Sequence, residues 1–197
     1  TRVHDLNKPV PVQWHGNYDV VYDGGSLEHV FNIPVALANC MNMVRVGGRL
    51  IHFSPANNQL GHGFYQFSPE LFFRVLSPEQ GFRIERIVAV EGGPCYRRFE
   101  VSDPDSVRSR VTLINCFPVS IFVQAVKVDS VVPFTVTPQQ SDYMAQWKDG
   151  RPIPGRSGAM PLTGHARLRL LLKENCPRLV RFLEGLWSGP WNRTHSF

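Results

Sequence analysis

The sequence predicts an α/β chain built around a strand–helix–strand unit, and three observations carry that reading. Tyr18–Asp23 (YDVVYD) is a short Val-rich run that stops at Asp-Gly-Gly, the pattern of a buried parallel strand. Ile33–Val44 places apolar residues at 33, 37, 40, 41 and 44, which is helical spacing. Gly47-Gly48 then reads as the glycine stop of that helix, and Arg49–Ser54 (RLIHFS) as the second strand, ended by Pro55. Strand, helix, glycine turn and strand make a βαβ unit with parallel strands.

The next elements follow from caps and periodicity. Ser68-Pro69-Glu70 opens a second helix, with Ser as the favoured cap and Pro in the first turn, and ELFFRVL supplies its apolar face. Gly81 reads as its end, and Arg83–Glu91 as a third strand. Ser120–Val128 alternates in polarity, which predicts a strand near the rim of the sheet, antiparallel to the others. From Asp129 the character changes. Prolines at 133, 138, 152, 154 and 161 and glycines at 150, 155, 158 and 164 mark a linker. Within and beyond it, helices are expected over Gln139–Lys148, Leu162–Leu172 and Pro177–Trp187, with Trp187 and Trp191 pinning the C-terminus. The expected division is an α/β domain over 1–128 and a Pro/Gly-rich linker with a basic helical extension over 129–197.

Composition narrows the class. With 43% hydrophobic and 19% charged residues, 197 residues suffice for a real core. No apolar run nears the roughly 20 residues of a membrane span, and no signal-peptide pattern opens the chain, so a cytoplasmic protein is expected. Thr1 in place of Met predicts a processed product or an excised piece. Cys40, Cys95, Cys116 and Cys176 lie far apart without zinc spacing and read as reduced thiols. His52 and His62 have no carboxylate at ligand spacing, so no metal is expected. From Gly150 onward eight Arg or Lys face two acids, Glu174 and Glu184, which accounts for the net charge of +5. For that basic tail a solvated face is the plainer reading, and nucleic acid ranks behind other partners.

Two segments fall at the carboxyl ends of the first two strands, where open α/β sheets bind ligands. Asp23–Phe31 offers backbone freedom at Gly24 and Gly25. The loop PANNQLGHGFYQF collects Asn57, Asn58, Gln59, His62, Tyr65 and Gln66, polar groups among aromatics as a small-molecule pocket requires. The plainer readings are a simple turn at the glycines, Glu28 as a helix cap and His29 as a core histidine; taken together, the two segments favour a binding site.

YDVVYDGGSLEHVFN, VRVGGRLIHFSP and GHGFYQFSPELFFRVL resemble the C-terminal half of class I S-adenosylmethionine-dependent methyltransferases, over about Val3 to Val128. The resemblance implies a Rossmann-like methyltransferase sheet, here a partial one comprising strands four to seven, the last antiparallel, with a helical C-terminal extension. It implies that Asp5 and Leu6 meet the adenine, that Asp23 and Gly24 line the methionine part of the cofactor, and that His29 stands near the departing methyl as catalytic base, with His62 next in line. Asn57, Asn58, His62 and Tyr65 would face a small polar acceptor. No G-x-G-x-G stands in these residues, so the first cofactor-binding half is expected to lie outside the chain. The competing expectations are a non-catalytic, methyltransferase-like module that docks a partner chain or a second copy, and, third, a nucleic-acid binder acting through the basic tail, for example as an RNA-directed methyltransferase. The last lacks the Asn/Asp-Pro-Pro-aromatic tetrad of many amino-group methyltransferases of nucleic acids.

Overall fold

A computed structural model of the protein describes residues 1–93, 96–107, 110–113 and 115–144. The expected helices Leu162–Leu172 and Pro177–Trp187, with Trp187 and Trp191, lie outside the described residues. Strand β1 is Tyr18–Asp23, at the expected bounds. Helix α1, Ile33–Met43, buries Ala36, Leu37, Cys40 and Met41 on one face and carries Pro34 in its first turn, where a missing N–H is harmless. Strand β2, Val44–Asn57, lies parallel to β1, so α1 is the crossover of a βαβ unit.

The glycine pair does not stop α1. The helix ends at Met43 with Val44 already extended, at φ −70° and ψ 132°. Gly47 and Gly48 instead sit in a bulge inside β2. Tyr18 pairs with Val44 and Val20 with Arg49, so the residues between them on β2 loop outward. Gly47 takes φ +80°, and a Cβ on Gly48 would stand 2.7 Å from the Asp19 carbonyl oxygen. The helix end is served by a distant residue. Lys127 Nζ donates to the carbonyls of Met41 at 2.8 Å and Val44 at 2.9 Å, although burial pushes this ammonium's pKa down.

Helix α2, Pro69–Val75, is capped by the Ser68 side chain, which accepts from the Glu70 N–H. It ends before Gly81, which instead closes a short 3₁₀ turn, Pro78–Gln80, with φ +78°. Strand β3 is Phe82–Glu91, and β4, Arg97–Glu100, is a short edge strand with no counterpart among the expected elements. A single helical turn, α3, covers Pro104–Val107. Strand β5, Val119–Lys127, is antiparallel as expected, but it lies between β2 and β3 and not at the rim. The order is β1-β2-β5-β3-β4, a mixed α/β sheet compatible with a Rossmann-like fold.

The alternation of β5 reports faces, not an edge. Ile121, Val123 and Ala125 are buried beside Leu50, Ile87 and Ala89, and Phe72, Val75 and Leu76 of the α2 region complete that core. On the other face Val20 and Tyr22 are 51% and 65% exposed, and Arg49, Glu85 and Gln124 form a polar network across three strands. Residues 129–144 fold back on the domain. Gln80 bridges the Phe134 N–H and the Val136 carbonyl, and the Ser141 N–H donates to Glu70. Residues 141–144 are helical, within the expected helix over Gln139–Lys148. No helix among the described residues is long and apolar enough to cross a membrane.

Candidate functional site

Asp23 ends β1, and its carboxylate is engaged from two sides. Oδ1 accepts the Ser26 N–H at 2.9 Å, bending the chain into the next turn. Oδ2 lies 2.6 Å from His52 Nδ1 on β2, the residue directly opposite in the strand register, although the two are out of hydrogen-bond alignment. His52 Nε2 is 2.6 Å from Ser54 Oγ, which sits two residues along on the same face of β2. The residue order is that of a nucleophilic triad, but Asp23, His52 and Ser54 are only 6%, 1% and 2% exposed. The Phe67 and Phe72 rings enclose the imidazole at 5.5 and 4.6 Å. A substrate has no way in, so the relay is a buried polar stay that fixes the turn beyond β1.

Gly25 takes φ +97°, which calls for glycine, whereas a Cβ on Gly24 would come within 2.8 Å of the exposed Tyr22 ring, which would have to swing aside. Leu27–His29 then forms a 3₁₀ turn. Leu27 anchors it in the core, the Glu28 side chain is 1% exposed, and His29 reaches the surface. The Glu28 carbonyl accepts the N–H of Phe64 at 2.7 Å and of Tyr65 at 3.3 Å, which docks the loop after β2 onto the turn after β1. Tyr65 Oη adds a bond to the Phe31 carbonyl at 2.7 Å. Gly63, at φ +73°, makes the docking possible, since a Cβ there would stand 2.7 Å from the Glu28 oxygen. His62 is thereby brought to His29, with ring centroids 5.3 Å apart. Glu28 Oε1 lies 3.5 Å from His62 Nε2 and 3.9 Å from His29 Nε2, and Oε2 has no hydrogen-bond partner. Phe31 and Phe64, packed edge to face at 5.9 Å, form an exposed aromatic ledge beside this cluster.

The site residues expected from sequence thus divide. His29, His62 and Tyr65 converge on one rim, with Asp23 and Gly24 leading into it. Asp5 is exposed on the segment that Asn7 ties to Asn32, three residues past His29; the Asn7 side chain and N–H hold its carboxyl below the usual range. Leu6 packs against the core, and its carbonyl accepts from Asn39. Asn57 and Asn58 are engaged elsewhere. The Asn58 amide donates to Asn115 and Phe117, and Asn57 to Asn115, fastening the loop base to the approach of β5. His62 meets His29 and Glu28 and not His52, which points into the core.

Nothing in the sequence marks Glu28, His52 and Ser54 as members of these clusters. The His52–Ser54 alternation with Leu50 marks one inward face, but the pairing of His52 with Asp23 depends on a register that only the folded sheet fixes. Compared with known proteins, the sequence matches no family model and no curated protein.

Proposed function

We propose that this chain supplies the acceptor side of an S-adenosylmethionine-dependent methyltransferase of class I that acts on a small polar molecule. The observation that carries the reading is the meeting of two sequence-distant segments, the Ser26–Asn32 turn and the Asn57–Phe67 loop. They join beyond the carboxyl ends of adjacent parallel strands, where α/β sheets place their ligands. In this reading the sheet corresponds to strands four to seven of such a fold, with β5 as the antiparallel last strand.

The residues present suit half of a cofactor site. Asp5 is an exposed, readily ionised acid, suited to an amino group such as that of adenine, with Leu6 beside it. The Asp23 carboxylate is taken by Ser26 and His52, so contact with the methionine part falls to the main chain at Gly24 and Gly25. When bound, the cofactor supplies an activated methyl group, and the protein's task is to align the acceptor and remove its proton. In this reading His29 would take the proton, with His62, its ring 5.3 Å away, as the next candidate. Tyr65 and the Phe31–Phe64 ledge would flank an acceptor with polar and aromatic surface, while Asn57 and Asn58, tied to Asn115 and Phe117, hold the base of the loop.

The test is calorimetric titration of S-adenosylmethionine into the protein as its full reading frame encodes it, followed by assay of His29→Ala. Cofactor binding with a large loss of turnover and little loss of cofactor affinity is expected. Unchanged turnover would remove His29 from its role. A second reading is favoured by the exposed Val20 and Tyr22 on β1, an edge strand among the described residues: a methyltransferase-like module that docks a partner chain. It predicts no cofactor binding and a mass that grows with concentration.

A further inference from the structure

We propose that Glu28, His29 and His62 bind a divalent transition-metal ion of the zinc class, with one coordination position left open to solvent. One ligand atom from each residue, two imidazole nitrogens and a carboxylate oxygen, lies within 4.8 Å of the others. The separations of Glu28 Oε1 from the two imidazoles, 3.5 and 3.9 Å, are too long for hydrogen bonds. They suit donors that share an ion, because tetrahedral ligands about 2.1 Å from zinc stand roughly 3.4 Å apart.

Burial supplies the second argument. Glu28 is almost wholly buried, its Oε2 has no hydrogen-bond partner, and no Lys or Arg among the described residues pairs with it. A buried carboxylate without a countercharge is costly, and a dication held beside it removes that cost. The two imidazoles are about half exposed, at 54% and 52%, so an ion can enter from solvent and keep a water. The site is also built in advance. The loop carrying His62 is fastened to the Glu28 carbonyl, and Gly25 leaves room beside Oε1, where a Cβ would stand 3.2 Å away. Two nitrogens and one carboxylate favour zinc, cobalt, nickel or ferrous iron over magnesium or calcium.

This inference does not rest on the methyltransferase reading. If both hold, an acceptor hydroxyl at the open position would be acidified by the ion, which then takes over the proton-removing role of a free His29. The test uses tag-free, chelator-treated protein titrated with Zn²⁺ by calorimetry and with Co²⁺ by visible absorption, with no methyl donor present. One ion per chain and a rise in thermal midpoint on adding Zn²⁺ are expected. Loss of an outer-shell partner already weakens metal sites by about 10–100-fold, so His29→Ala and His62→Ala should each lose at least that much. His15→Ala, at an exposed histidine away from the cluster, should bind as wild type. Glu28→Gln should abolish binding; if that variant does not fold, the two surface histidine variants still decide. No uptake of either ion by wild type, or wild-type uptake by His29→Ala and His62→Ala, would overturn the proposal.

Discussion

His62 stands between two glycines that the fold treats differently, and substituting each by alanine tests how the site is assembled. Gly63 holds φ +73°, and a Cβ there would lie 2.7 Å from the Glu28 carbonyl oxygen and 3.1 Å from its carbon and from Glu28 Cγ. Left-handed backbone costs an L-residue about 1–2 kcal/mol. The obstacle is main chain and cannot swing aside, so the loop must lift and weaken the bonds from the Phe64 and Tyr65 N–H groups to Glu28. Each such bond contributes about 1 kcal/mol. Gly63→Ala should therefore cost about 2–4 kcal/mol in all. With a slope of about 2 kcal/mol per molar urea, the unfolding midpoint should fall by roughly 1–2 M. A Cβ added at Gly61 would meet nothing within 4 Å, so Gly61→Ala should stay within about 0.5 kcal/mol of wild type. Urea titrations of the two variants, followed by circular dichroism, give the comparison. Equal midpoints would refute the claim that Gly63 seats the loop on Glu28.

Other consequences follow from the buried polar groups. His52→Leu removes the buried imidazole that lies against Asp23 Oδ2 and is bonded to Ser54 Oγ and should cost about 1–3 kcal/mol, with the Asp23→Asn/His52→Leu double variant losing less than the sum of the singles; additive losses would refute a coupling between the two. Burial lowers the Lys127 pKa below 10.5, so in the window beneath that value the unfolded chain binds more protons and this group's contribution to stability rises with pH. That slope should vanish in Lys127→Met, as urea unfolding across the window would show. Burial pushes the Cys40 thiol up to about 12. In a Cys95→Ser/Cys176→Ser background a disulfide reagent should therefore label exposed Cys116 in the native state and Cys40 only after denaturation.

Local chemistry made much of this molecule legible in its sequence. Val-rich β1, the 33-37-40-41-44 face of α1 and the Ser68 cap of α2 are each written within a few neighbouring residues, and each folds close to its expected bounds. The departures are long-range. Gly47-Gly48 looks like a helix stop because a glycine pair after a periodic run is the usual local signal, but the pairing of β2 with β1 turns it into a bulge. The alternation of β5 is compatible with an edge or with a central strand covered unevenly on its faces, and only the pairing partners distinguish these. At the site, glycines and polar residues point to the two loops that meet. Their closure on Glu28 depends on a main-chain carbonyl, which no side-chain pattern announces.

The turn after β1 carries two buried acids whose surroundings differ in a way that separates scaffold from site. Asp23 has one oxygen hydrogen-bonded, by the Ser26 N–H, and the other 2.6 Å from His52 Nδ1 out of hydrogen-bond alignment, and those neighbours belong to the turn and the core of the sheet. Glu28 is just as buried, yet neither of its carboxylate oxygens is hydrogen-bonded among the described residues, and what lies nearest are two surface imidazoles at 3.5 and 3.9 Å. Neutral replacements should therefore act in opposite directions when metal is withheld. Asp23→Asn disturbs the buried acid that holds the Ser26 turn beside His52 and should lower the urea midpoint, whereas Glu28→Gln removes a buried carboxylate with no hydrogen bond to its side chain and should leave the midpoint unchanged or raise it. Metal addition should then raise the thermal midpoint of Asp23→Asn but not that of Glu28→Gln. A Glu28→Gln variant that is destabilised as much as Asp23→Asn in chelator would mean that the carboxylate supports the fold, and the distinction between the two acids would fail.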